Sequence, residues 1–193
     1  MTSERGRLRR QVGSTPVAGE ARESTMSEEQ TSPPGLLRGY SDQDTPLGAY
    51  AVLTAVFGTG FGALLASAAR SGRLPDEVKW SDVLLLGVAT HKVSRIVSRD
   101  KITSFLRAPF TRYEGPAHIN EVNENPRGEG LQRSMGELLA CPLCLAAWVG
   151  GLFFSGYLFA PRATRVVAAL FSSLTLADWL HLAYAPSLEK AES

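Results

Sequence analysis

Apolar positions along the chain pool into four blocks separated by polar stretches. No charged residue occurs between Leu47 and Ala69. About 20 residues at about 1.5 Å each cross a hydrocarbon core of roughly 30 Å, so this block predicts a first transmembrane helix over 47–69. A second block opens at Val83 and changes character at Thr90. From there His91, Arg95 and Ser98 recur at helical spacing as one polar stripe, while Val93, Ile96 and Val97 keep the opposite side apolar. Trp80 stands where an interfacial aromatic anchors such a helix, and Ser81 or Asp82 is placed to cap it. A third span is expected over about 138–159 and a fourth over about 163–185, joined by a tight turn at Pro161-Arg162. The expected fold is all-α: an integral membrane bundle of about four transmembrane helices plus a short interfacial helix.

That interfacial helix is expected within Arg99–Phe110. There Ile102, Phe105 and Leu106 fall at helical spacing, Lys101 and Arg107 are available to lipid headgroups, and Pro109 ends the run. An amphipathic turn packed on the protein reads equally well. Residues 114–133 are rich in Gly, Pro, Asn and Glu and are expected to form a mobile cytoplasmic loop carrying an exposed His118. Residues 1–46 lack periodic apolar positions and read as a disordered cytoplasmic tail. A membrane domain over 80–185 and a short C-terminal tail at 186–193 complete the division. Arg9-Arg10 lacks the apolar core of an export signal, and Ala66-Ser67-Ala68 follows too long a polar stretch for a signal-peptidase site.

The chain has 193 residues, 44% apolar and 20% charged, with a formal charge of +1. Mean hydropathy is close to zero only because the segregated blocks cancel. A nearly neutral chain without a Lys/Arg stripe excludes a basic nucleic-acid binder. Lys and Arg are denser in the tail and in the 99–133 loop than in the connectors at 70–79 and 160–165, so a multi-pass membrane protein with both termini in the cytoplasm is expected.

With that topology His91, Cys144 and Asp178 each lie about seven residues, roughly 10 Å, from the cytoplasmic ends of their helices. Ionisable groups at such depth turn inward to pair. The expectation is therefore a polar layer in which Arg95 or His91 faces Asp178, near Cys141, Cys144, Glu137, Trp148 and His181. Small residues offer close-packing faces: Gly58 and Gly62 on the first span, with Ala51, Ala55 and Ala66, and Ala147, Gly151 and Ser155 on the third. Besides the lipid bilayer, the partners they suggest are a second copy or another membrane protein.

Both cysteines lie in Cys141-Pro142-Leu143-Cys144, and three readings stay open. As packing residues, two small polarizable side chains would fill a helix junction beside Trp148. As half of a zinc site, they would need ligands from His91, His181, Asp178 or Glu137. As a redox pair, Cys141 would attack as a helix-capping thiolate and Cys144 would resolve. Nothing matches a phosphate-binding glycine loop, a Ser/His/Asp set or paired catalytic carboxylates, so the reading leans away from an enzyme.

The run His91-Lys92-Val93-Ser94-Arg95-Ile96-Val97-Ser98-Arg99-Asp100-Lys101-Ile102, followed by Arg107-Ala108-Pro109-Phe110 and by Gly136-Glu137-Leu138-Leu139-Ala140-Cys141-Pro142-Leu143-Cys144 with Trp148, resembles the small bacterial integral membrane proteins grouped as domain of unknown function 1360 (DUF1360), which include YjcA-like sporulation proteins. The resemblance covers about residues 80–185. It implies a multi-span membrane protein of bacterial or phage origin and brings no activity, substrate or cofactor. Together these observations favour a non-enzymatic scaffold or accessory protein with a cytoplasmic-side Cys/Arg/Asp layer; the alternatives are a membrane thiol-disulfide protein or a zinc-stabilised one. A transporter would need a polar path that the far halves of these helices lack.

Overall fold

The computed structural model describes Tyr40, residues 45–117 and residues 120–192, with side chains as far as Ala185. The expected tail over 1–46, apart from Tyr40, Thr45 and Pro46, and His118 lie outside the described residues. The described residues from Thr45 onward make one compact unit.

Helix α1 runs Leu47–Arg70 and α2 runs Trp80–Arg99. A 3₁₀ turn at Lys101–Thr103 leads into α3, Ser104–Arg107, and an antiparallel hairpin follows from β1, Thr111–Pro116, to β2, Val122–Pro126. Helices α4, Gly130–Ala140, α5, Pro142–Phe159, and α6, Pro161–Glu192, complete the chain. Contacts between α2 and both α5 and α6 make α2 the central helix. Gly150 approaches Thr90 while Tyr157 bonds Asp82, so α5 runs antiparallel to α2. Leu85 and Lys92 meet Ser172 and Asp178, so α6 runs parallel to α2. Phe57 of α1 packs on Trp148, and Phe61, one turn on, reaches Gly151, giving α1 the direction of α5.

Polarity is inverted relative to a water-soluble protein. Arg107, Ser94 and Ser134 are the largest fully buried side chains, whereas Leu152, Val166 and Leu180 face outward. The buried core is small, formed by Ala68, Leu86, Ala89, Tyr157, Leu158 and Ala168. Three helices, Leu47–Arg70, Pro142–Phe159 and Pro161–Ala185, are long and apolar enough to cross a membrane, and their outer surfaces leave large apolar areas uncovered. Helix α2 falls outside that set because Asp82, Lys92, Arg95 and Arg99 interrupt it.

Several expectations are corrected. The third span does not begin near residue 138: the helix breaks at Cys141, whose backbone is extended (φ −105°, ψ 108°). The ring of Pro142 disfavours the α conformation in the residue before it while suiting the first turn of the next helix. The stretch at 114–133 is not one long loop, because residues up to Pro116 and from Val122 to Pro126 pair as strands and α4 starts at Gly130. The fold is thus mostly helical with a two-stranded addition. Neither Ser81 nor Asp82 caps α2; the cap position is Lys79 and no side chain bonds there. Helix α6 does not stop near residue 185, since its backbone continues to Glu192.

Candidate functional site

Polar side chains gather where α2 ends, the hairpin folds back and α4 meets α5. Arg107, expected at lipid headgroups, is instead completely buried. Its Nε donates to Glu124 Oε2 at 2.8 Å and its Nη2 to Glu124 Oε1 at 3.0 Å, a fork-on-fork pair. The remaining donors reach the carbonyls of Val97 and Asp100 and the hydroxyls of Thr103 and Ser104. Thr111 Oγ1 adds a bond to Glu124 at 2.8 Å. Burial raises the Glu124 carboxyl, but bonds from Arg107, Thr111 and Ser104 outweigh it and hold the group below the usual carboxylate range. One guanidinium therefore fastens the end of α2, the α3 turn and strand β2 together. Asp100, beside this clamp, lies above its ordinary value because it is desolvated, with Lys92 opposing and Glu121 adding to the rise.

The expected Arg95–Asp178 pairing does not form. Asp178 takes Lys92 Nζ at 2.5 Å, and Arg95 reaches Glu121 with Nη2 at 2.6 Å. Lys92 faces α6, about 100° around α2 from His91, whereas Arg95, one turn beyond His91 on the same exposed face, reaches Glu121 past the helix end. His181 is exposed as well. Among the described residues no three His, Cys, Asp or Glu side chains gather as a metal would require, so the structure does not bring Cys141, Cys144, His91 and His181 together as a ligand set.

Cys141 and Cys144 are free thiols at the α4–α5 junction. Cys141 Sγ caps α5 by accepting from the Cys144 N–H at 3.2 Å. Burial pushes the Cys141 thiol up, but bonds from the Cys144 side chain and from the N–H groups of Cys144 and Leu143 prevail and lower it. Both sulfurs line a cleft of about 490 Å³ between α1 and the α4–α5 junction, with Phe57, Glu137 and Trp148 among its walls. Tyr50 donates to Glu137, which also takes Arg133 Nε at 3.2 Å, tying α1 to α4. Gly151 is occupied within the chain, because a side chain there would lie 3.1 Å from the Phe57 ring. Gly58 and Gly62 face open space.

At the opposite end of the bundle is a network the sequence reading missed. Asp82, nearly buried, accepts from Arg165 through both oxygens at 2.9 and 2.8 Å and from Tyr157 Oη at 3.0 Å. The Arg165 guanidinium also lies over the Tyr157 ring, 5.5 Å from its centroid. The available signal was a lone acid in an apolar block with a lone arginine in another.

The fold and this polar end define a helical protein with three membrane-length helices and a clamped hairpin at one end. The family described as protein of unknown function (DUF1360) matches residues 85–184, more than half of the chain, and the chain belongs to that family. The match takes in α6 as far as Tyr184, the hairpin, the clamp and the Cys pair, and leaves out α1. Among curated proteins the chain is similar to the UPF0713 protein YngL of Bacillus subtilis (strain 168), 30% identical over 88 residues. That similarity spans 45% of this chain and 65% of the relative. No solved structure matches this chain.

Proposed function

We propose that the chain is a four-span, non-enzymatic scaffold or accessory protein of a bacterial cytoplasmic membrane, with its termini and hairpin on the cytoplasmic side. The observation that carries this reading is the pairing along α2. Asp82 bonds Arg165, Lys92 bonds Asp178 and Arg95 bonds Glu121, so each of these charges has a partner from another element. Charges satisfied in this way can enter a bilayer as an interior helix, and the 20 residues of α2 give about 30 Å. Helices α1, α2, α5 and α6 alternate in direction, joined by short connectors except for the hairpin region between α2 and α5, as four crossings require. Arg99, Lys101, Arg107, Arg112, Arg127 and Arg133 cluster between α2 and α5, which favours a cytoplasmic hairpin. The Arg107–Glu124 and Arg95–Glu121 pairs there join separate elements, a pattern that holds a shape. A second copy or another membrane protein is expected on the open Gly58/Gly62 face.

Topology is tested with single cysteines at Gly72, Asn123 and Arg162 in a Cys141→Ser/Cys144→Ser background, labelled by an impermeant maleimide. Positions 72 and 162 should label on intact cells, and 123 only after permeabilisation. Labelling of 123 on intact cells would overturn the orientation, and release of the protein by alkaline carbonate would overturn membrane insertion.

A further inference from the structure

The cleft between α1 and the α4–α5 junction is built unlike the rest of the bundle surface. Leu53 and Phe57 form its α1 wall, and Ala147 and Trp148 form the wall from α5. The Phe57 and Trp148 rings meet at 5.3 Å between centroids. On the α4 side lies Ser134, 1% exposed, whose hydroxyl oxygen has no hydrogen-bond partner. A buried hydroxyl left without a partner costs free energy, and a ligand oxygen in the cleft would remove that cost. Tyr50 and Glu137 bond each other at its edge, and Arg133 balances the carboxylate, so the site holds no free charge for an ionic ligand.

Location narrows the occupant. The cleft lining of α1 and α5 runs inward as far as Phe57, about three turns into α1, and Trp148, about two turns into α5, and it begins at the end where those two membrane-length helices enter the bilayer in the proposed topology. This is the level at which the ester groups of glycerolipids meet their acyl chains. An α-helix from a partner, about 10–12 Å wide, would fill a cleft of about 490 Å³ in roughly one turn, whereas a single flexible hydrocarbon chain fits lengthwise. We infer that the cleft is a structural lipid site, taking one acyl chain of a membrane glycerolipid along the wall that the touching Phe57 and Trp148 rings form, with the ester carbonyl accepting a hydrogen bond from Ser134. The inference rests on the membrane reading above.

The experiment uses the full chain. Carbonate-washed membranes are solubilised in mild detergent, the protein is washed extensively on resin, and retained lipid is quantified by native mass spectrometry and solvent extraction. The wild type should keep one phospholipid per chain. Thr54→Trp and Ala147→Trp fill the cleft from opposite walls and should reduce retention to background at unchanged helicity. Ser134→Ala should weaken it by up to about tenfold, the worth of one hydrogen bond. Leu143→Trp, outside the lining, should retain the lipid. A wild type that stays in carbonate-washed membranes yet keeps no lipid overturns the site and leaves the membrane reading intact. Equal retention by both filled variants, or retention of a non-acyl molecule such as an isoprenoid quinone in place of phospholipid, also overturns it. Loss of the protein in the carbonate wash overturns the membrane reading and the site together.

Discussion

Arg107 and Glu124, 17 positions apart, form a two-pronged ion pair in which the guanidinium is completely buried. Arg107 is bonded to the last turn of α2 and to its own short helix, so the pair transmits the position of the hairpin to the helical bundle. A buried guanidinium without its carboxylate is heavily penalised. Glu124→Ala should therefore destabilise the protein by about 3–5 kcal/mol, with melting in detergent as the measurement. Loss of hydrogen-exchange protection should begin in 111–126; an unchanged melting curve would show that the pair does not fasten the hairpin.

The same pair sets an acid dependence. Glu124 has a lowered carboxyl in the folded protein. Its stabilising contribution is present above the unfolded-chain value and is lost as pH falls through the lower folded value. Hairpin protection should be constant near neutrality and decline only in acid, below the ordinary glutamate range. The Glu124→Gln variant should lose that acid step while being less stable at neutral pH.

Gly136 and Gly62 should respond oppositely to the same substitution. A side chain at Gly136 would lie 2.4 Å from the Phe110 carbonyl oxygen and 3.1 Å from Pro126, so α4 meets the hairpin through backbone. Gly136→Ala should cost about 1–3 kcal/mol by forcing these surfaces apart. Gly62→Ala meets nothing within the chain and should leave its melting unchanged. Gly62→Leu should weaken self-association or partner cross-linking in membranes, and unchanged association would remove that face from consideration.

Cys141 has a backbone task that a serine can perform. Cys141→Ala should cost about 0.5–2 kcal/mol by leaving the α5 start uncapped, while Cys141→Ser should melt close to the wild type. Metal content and thiol titration of the same samples decide the chemistry. Bound zinc lost on Cys141→Ser would revive the metal reading, and ready oxidation of both thiols to a disulfide would favour redox exchange.

At the far end, Asp82→Asn should lower the melting temperature more than Lys92→Met does. Asp82 is nearly buried and holds three bonds from α5 and α6, whereas the carboxylate paired with Lys92 is half exposed. Equal effects would mean that the Asp82 network does not anchor α2.

The uncharged run from Leu47 and the apolar runs before Phe159 and after Pro161 are enough to specify α1, α5 and α6, because helix period and hydrocarbon thickness are local constraints that a sequence carries in itself. Pro142 likewise marks the break at Cys141 by sterics confined to two residues. The hairpin was not legible: only Val122 of its strands is a buried aliphatic residue, and its position depends on Glu124 finding a guanidinium 17 residues back. The partners of the charges escaped for the same reason. Helical spacing places Lys92 and Arg95 on α2, but which of them meets Asp178 depends on how α2 is rotated against α6, and that rotation is set by packing of Leu86, Ala89 and Ala168. Helix length and apolar character were readable along each of α1, α5 and α6 by itself; pairing between helices was decided only when the tertiary structure fixed their faces.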